Sequence, residues 1–109
     1  MSGTISNLSH HVYFWLKNPE SKDDLAQLIR GVKTLTSIEP IKGFHIAVPA
    51  ATEDRNVIDN SYQVSWLAFF DSEADEQIYQ VHPTHLKFIE EYGHLWSKVV
   101  VYDSLQTAY

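Results

Sequence analysis

The chain contains no cysteine. Disulfides, thiolate nucleophiles and zinc–thiolate sites are therefore excluded together. It has no basic block either: eight Lys and Arg stand against fourteen Asp and Glu, for a net charge of −6. Without clustered cations nothing is available to neutralise the phosphates of a nucleic acid or an anionic membrane surface. No apolar run approaches the ~20 residues of a membrane span. No glycine-rich loop is present to cradle phosphates, so nucleotide cofactors are unsupported and no cofactor is expected. Met1 to Ser9 shows no basic stretch followed by an apolar one, so no secretory leader is read there and a cytoplasmic protein is expected.

What is present suits one small folded domain. The length is 109 residues, with 44% hydrophobic and 13% aromatic residues, too apolar for a disordered chain. A chain this short buries only about 60–70% of its unfolded surface, so a second subunit would help it. Residues 1–8 are polar and aperiodic and read as a loose lead-in; residues 9–106 carry the pattern of the domain.

The first strand is expected from His10 to Lys17, where Val12, Phe14 and Leu16 alternate with His11, Tyr13 and Trp15. Both alternating faces are apolar, so both must be covered. Ser21 can cap a helix whose first turn holds Asp23 and Asp24, with Leu25, Leu28, Ile29, Val32 and Leu35 on one face. That helix should stop near Thr36–Ser37, ahead of Glu39-Pro40. Lys42 to Val48 and Tyr62 to Phe70 read as the next two strands, separated by a polar loop over 50–60. Asp71 or Ser72 caps a second helix, for which Ala74, Ile78 and Val81 are the expected inner stripe. Pro83 should break it and suits the first turn of a new segment running through His85, Phe88, Ile89, Tyr92 and Trp96. Lys98 to Leu105 closes the order as a fourth strand.

The order β-α-β-β-α-β is the ferredoxin-like, α+β arrangement: a four-stranded antiparallel sheet with helices on one face. Its other face would carry Tyr13, Trp15, Leu67 and Phe69, a patch that a soluble monomer should not expose. A homodimer packed sheet on sheet, a dimeric α/β barrel, is the economical solution.

The chemistry concentrates in Tyr79-Gln80-Val81-His82-Pro83-Thr84-His85-Leu86-Lys87-Phe88. Histidine titrates near working pH and suits a base; a tyrosine hydroxyl aimed at a carbonyl suits enolate stabilisation. A structural reading stands beside this one: His82 would serve the backbone freed by Pro83, and His85 a loop carbonyl. His10 would face the helices with Val12, Phe14 and Leu16, and His11 the opposite side. His45 and His94 are expected to be solvated. His82 and His85 stand three apart, but no carboxylate completes a metal motif and Pro83 disturbs the turn, so no metal site is expected. Trp15, Trp66, Phe69, Tyr92 and Trp96 read as core and interface.

The opening His10-His11-Val12-Tyr13-Phe14-Trp15-Leu16-Lys17, the block His82-Pro83-Thr84-His85 with Phe88 behind it, and the closing Val99-Val100-Val101-Tyr102-Asp103 resemble the Dabb family, the stress-responsive dimeric α/β-barrel domain. The resemblance implies a ferredoxin-like protomer and a barrel made by two of them. One branch, the olivetolic acid cyclase type, closes linear poly-β-keto thioesters by an aldol condensation. On that pattern Tyr79 and His85 match the catalytic pair, His82 the first histidine of the block, His10 a histidine at the pocket mouth and Trp96 an aromatic wall. Val64 stands where that branch has a strand histidine, so substrate identity does not carry over. With Phe14, Trp66, Phe70 and Phe88, these are the expected pocket residues. The function expected is a homodimer binding a small apolar or aromatic molecule between helices and sheet. The alternatives are a cofactor-free cyclase or lyase, and a structural or stress-associated interaction protein with no ligand.

Overall fold

The computed structural model describes residues 7–108, so the lead-in expected over residues 1–8 lies outside the described residues except for Asn7 and Leu8. Four strands are β1 (Leu8–Leu16), β2 (Gly43–Ala47), β3 (Val64–Phe70) and β4 (Trp96–Leu105). Three helices are α1 (Lys22–Thr34), α2 (Glu73–Gln80) and α3 (Pro83–Tyr92). The strands form one sheet in the order β2-β3-β1-β4, with each neighbouring pair antiparallel. This is the ferredoxin-like α+β fold. No helix among the described residues is long and apolar enough to cross a membrane.

Directly paired residues on antiparallel strands share a face, so the register sorts every strand side chain. Val12 pairs with Trp66 and Val101, and Phe14 with Val64 and Val99, on the helix side. His11 pairs with Leu67 and Tyr102 on the open side, with Tyr13 and Trp15 two and four positions along. Val12, Phe14, Leu16, Val64, Trp66, Ala68 and Phe70 are buried under the helices. The third strand begins two residues later than its alternation suggests. Gln63 instead bonds through its own groups, its backbone N–H to the Phe14 carbonyl at 2.9 Å and its side-chain oxygen to the Leu16 N–H at 2.8 Å.

Ser21 and Ser72 cap α1 and α2 by accepting the backbone N–H of Asp24 and Asp75. The face of α1 carrying Leu28 and Val32 is buried in the core together with Leu35 just past its end, with Leu25 and Ile29 packed at its margin. Gly31 on the same helix lies against α3. A methyl group there would fall 2.6 Å from the Tyr92 ring, so only glycine permits this approach.

Two expectations need correction. The inner stripe of α2 is not Ala74, Ile78 and Val81, which are exposed. The helix instead turns Tyr79 inward, because a buried phenol that finds a hydrogen-bond partner removes more apolar area than the smaller side chains would. Trp96 is not the end of a helix. A tight turn over Gly93–Leu95 buries Leu95 and releases Trp96 into extended backbone as the first residue of β4, paired with Leu16.

Candidate functional site

Three segments converge at one end of the helix side: the start of β1, the end of β4 and the α2–α3 joint. His10 on β1 is 3% exposed and is paired in register with Asp103 on β4. Sharing a face, the two side chains meet, with Asp103 Oδ1 2.6 Å from His10 Nδ1. Glu76 of α2 brings a second carboxylate oxygen to 3.7 Å from the same nitrogen. One helical turn on, Gln80 Nε2 donates to Glu76 at 2.7 Å and steadies it. His10, Glu76 and Asp103 each offer a ligand atom within 4.8 Å of the others, so these are the residues that could hold a cation here.

The α2–α3 joint explains the two histidines around Pro83. After Gln80 the chain leaves the helix, and His82 becomes the extended cap of α3, with Pro83 at the start of that helix. Its Nδ1 accepts the Thr84 N–H at 3.0 Å. His85, one turn into α3, reaches back so that its Nδ1 lies 3.1 Å from the Gln80 carbonyl oxygen. Both structural roles read from the sequence are therefore met. Burial lowers the His85 pKa from its ordinary value; the Gln80 carbonyl and Glu76 oppose this, and His10 adds to it.

Tyr79 is 1% exposed and its hydroxyl accepts the Trp66 indole N–H at 2.9 Å. Burial pushes its pKa well above the usual phenol value, with the Trp66 bond working against that shift and Glu76 with it. Its ring stands edge-on to His10 at 5.5 Å and tilted to His85 at 4.7 Å.

Between β1, β4 and α3 lies a cleft of about 190 Å³. Of the expected pocket residues, His10, Phe14, His85, Phe88 and Trp96 line it. Trp66, Phe70 and Tyr79 do not; they form a buried layer behind it, held together by the Trp66–Tyr79 bond and by Phe70 against Tyr79 at 5.3 Å. His82 is also absent from the lining, because capping α3 draws its ring to Thr84. Val99 and Val101 complete the apolar wall from β4, and Gln80 stands at the edge. Sequence reasoning missed Asp103, Glu76 and Gln80. The Asp103 contact spans 93 positions and follows only from the β1–β4 register. Alternation along the closing strand, which puts Asp103 on the side of Val99 and Val101, was the available signal.

On the open face a groove of about 330 Å³ runs between Tyr13, Trp15, Tyr62, Tyr102 and Lys98. His11 stacks on Tyr13 there at 4.4 Å, and its pKa is lowered by burial first and then by His45 and His10.

The sequence model of the Dabb family, described as the stress responsive A/B barrel domain, matches residues 8–105. Among proteins with curated descriptions none matches the sequence. Similar solved structures include a protein from Arabidopsis thaliana, 25% identical with a TM-score of 0.73, the alignment covering 94% of this chain and 97% of that one. A hydroxynitrile lyase from Passiflora edulis is 23% identical, with a TM-score of 0.74 and coverage of 95% and 96%. A dimeric ferredoxin-like protein of unknown function from Thermobifida fusca is 19% identical, with a TM-score of 0.74 and coverage of 92% and 91%.

Proposed function

We propose, for a chain that belongs to the Dabb family of stress-responsive A/B barrel proteins, that it is a homodimer holding a small apolar or aromatic molecule in the cleft between α3 and the sheet. The cleft carries this reading: apolar walls from Phe14, Phe88, Trp96, Val99 and Val101 surround two imidazoles, the composition of a small-molecule site. Burying apolar area against the walls would supply affinity, and His10 and His85 would fix orientation. Amide NMR titration with small aromatic probes tests it. Shifts confined to residues around the cleft support the reading, and no perturbation there leaves the interaction-protein alternative.

Pairing through the open sheet face is supported by its aromatic groove and by a similar fold described as dimeric. Size-exclusion chromatography with light scattering at micromolar concentration should give twice the 12.5 kDa protomer mass. A protomer mass would overturn it. A cytoplasmic location agrees with the lack of cysteine, and cell fractionation tests it.

A second reading has one specific observation in its favour. Burial disfavours the charged form of His85, leaving a neutral imidazole available as a base at the cleft. In that reading the protein is a cofactor-free cyclase or lyase with His85 as base and Tyr79 as donor. The Tyr79 hydroxyl would have to give its proton from behind the lining while accepting from Trp66. Aldol cyclisation of polyketide thioesters by the wild type, His85→Ala and Tyr79→Phe decides it; equal rates in all three remove the enzyme.

A further inference from the structure

The two imidazoles in the cleft commit the same nitrogen to the protein. His10 Nδ1 faces the Asp103 carboxylate at 2.6 Å and Glu76 at 3.7 Å, and His85 Nδ1 faces the Gln80 carbonyl at 3.1 Å. A carboxylate and a carbonyl only accept, so in each ring Nδ1 must carry the proton. In the neutral rings Nε2 is then a bare acceptor. Neither Nε2 has a partner among the described residues. No buried side-chain nitrogen or oxygen among the described residues lacks a hydrogen bond. Both Nε2 atoms are therefore reached from outside, and for His10, otherwise sealed, the cleft it lines is the route. The lining's other polar side chains are Gln80, whose amide nitrogen already donates to Glu76, and Trp96.

From this arrangement we propose that the cleft selects a ligand that donates: a phenol or enol, an acidic O–H on an apolar or aromatic body, in preference to the matching ether or ketone. This inference rests on the small-molecule reading of the cleft and goes further by assigning the hydrogen-bond sense of its occupant. An O–H placed at the cleft finds an imidazole lone pair, whereas an ether oxygen meets another acceptor and leaves both unpaired, which is the larger penalty. Asp103 is a positioning residue. It does not line the cleft, and it acts by fixing which nitrogen of His10 is bare.

The test uses the full chain at about pH 8, on the alkaline side of histidine's ordinary range. Imidazole nitrogen NMR should show the Nδ1–H tautomer for both His10 and His85. In titrations, 4-methylphenol should bind roughly tenfold more tightly than 4-methylanisole, the worth of one well-made hydrogen bond. Asp103→Asn offers an amide that can donate to His10 Nδ1 and turn Nε2 into the donor. Its side chain is half exposed in the wild type, so folding should survive. The expected result is a changed His10 tautomer and a reduced preference for the phenol. Equal affinity for phenol and ether, or Nε2–H tautomers in the wild type, overturns this inference while leaving the cleft reading intact. If neither probe binds at the cleft, both fall.

Discussion

Tyr79→Phe removes one oxygen from the centre of the molecule, and the structure says what that should cost. The lost hydroxyl is the acceptor for the Trp66 indole N–H at 2.9 Å, and both residues are 1% exposed. Water cannot replace the acceptor without opening the layer behind the cleft, so the indole is left buried and unpaired, at about 1–3 kcal/mol. Each kcal/mol moves the Tm of a domain this size by about 4–6 °C, so the fall should be roughly 4–18 °C. Urea denaturation of four proteins isolates the contact: wild type, Tyr79→Phe, Trp66→Phe and the double variant. Once the indole is gone the missing hydroxyl should matter little, giving a coupling of about 1–2 kcal/mol. A Tyr79→Phe protein within about 0.5 kcal/mol of wild type, the range of an unremarkable surface change, refutes the reasoning. In that event Tyr79 is not held chiefly by Trp66, and a role as donor to a ligand becomes the better account.

Gly31→Ala should destabilise. The added methyl meets the Tyr92 ring at 2.6 Å, an overpacking cost of about 1–3 kcal/mol that exceeds the ~1 kcal/mol helix gain; a more stable variant in a denaturant melt would contradict the contact. For acid stability the sign follows from His85. Its folded pKa lies below the unfolded value of 6.5, so the unfolded chain takes the proton first. The stabilisation is complete above that value and is lost as pH falls towards the folded one. His85→Ala should flatten that part of the stability–pH curve, and an unchanged slope would rule the contribution out. Leu67→Lys places a charge amid the open face beside His11 and His45. It should shift the proposed homodimer to protomers by light scattering while circular dichroism stays native, and a retained dimer counts against sheet-to-sheet pairing.

The scaffold was legible because each part of it is written locally. Alternation in Val12, Phe14 and Leu16 and the three-four spacing of Leu28, Val32 and Leu35 are geometric consequences of strand and helix periods. Serines at 21 and 72 cap helices through contacts three residues away. The α2 stripe failed because small apolar residues suggested a face that a single buried tyrosine outweighs. Trp96 failed because aromatic spacing alone does not reveal a turn at Gly93. The site was harder still. His10 and Asp103 become neighbours only through strand register, and the choice between cap and ligand for His82 depends on where its ring points.

Pro83 ends one helix and starts another, and this hinge in the backbone divides the labour between two short rods. The upstream rod carries the tyrosine and acid that brace the interior, and the downstream one carries the imidazole and phenylalanine that line the cleft. The two rods stay tied across the break, because His85 reaches back to the Gln80 carbonyl and packs on Tyr79.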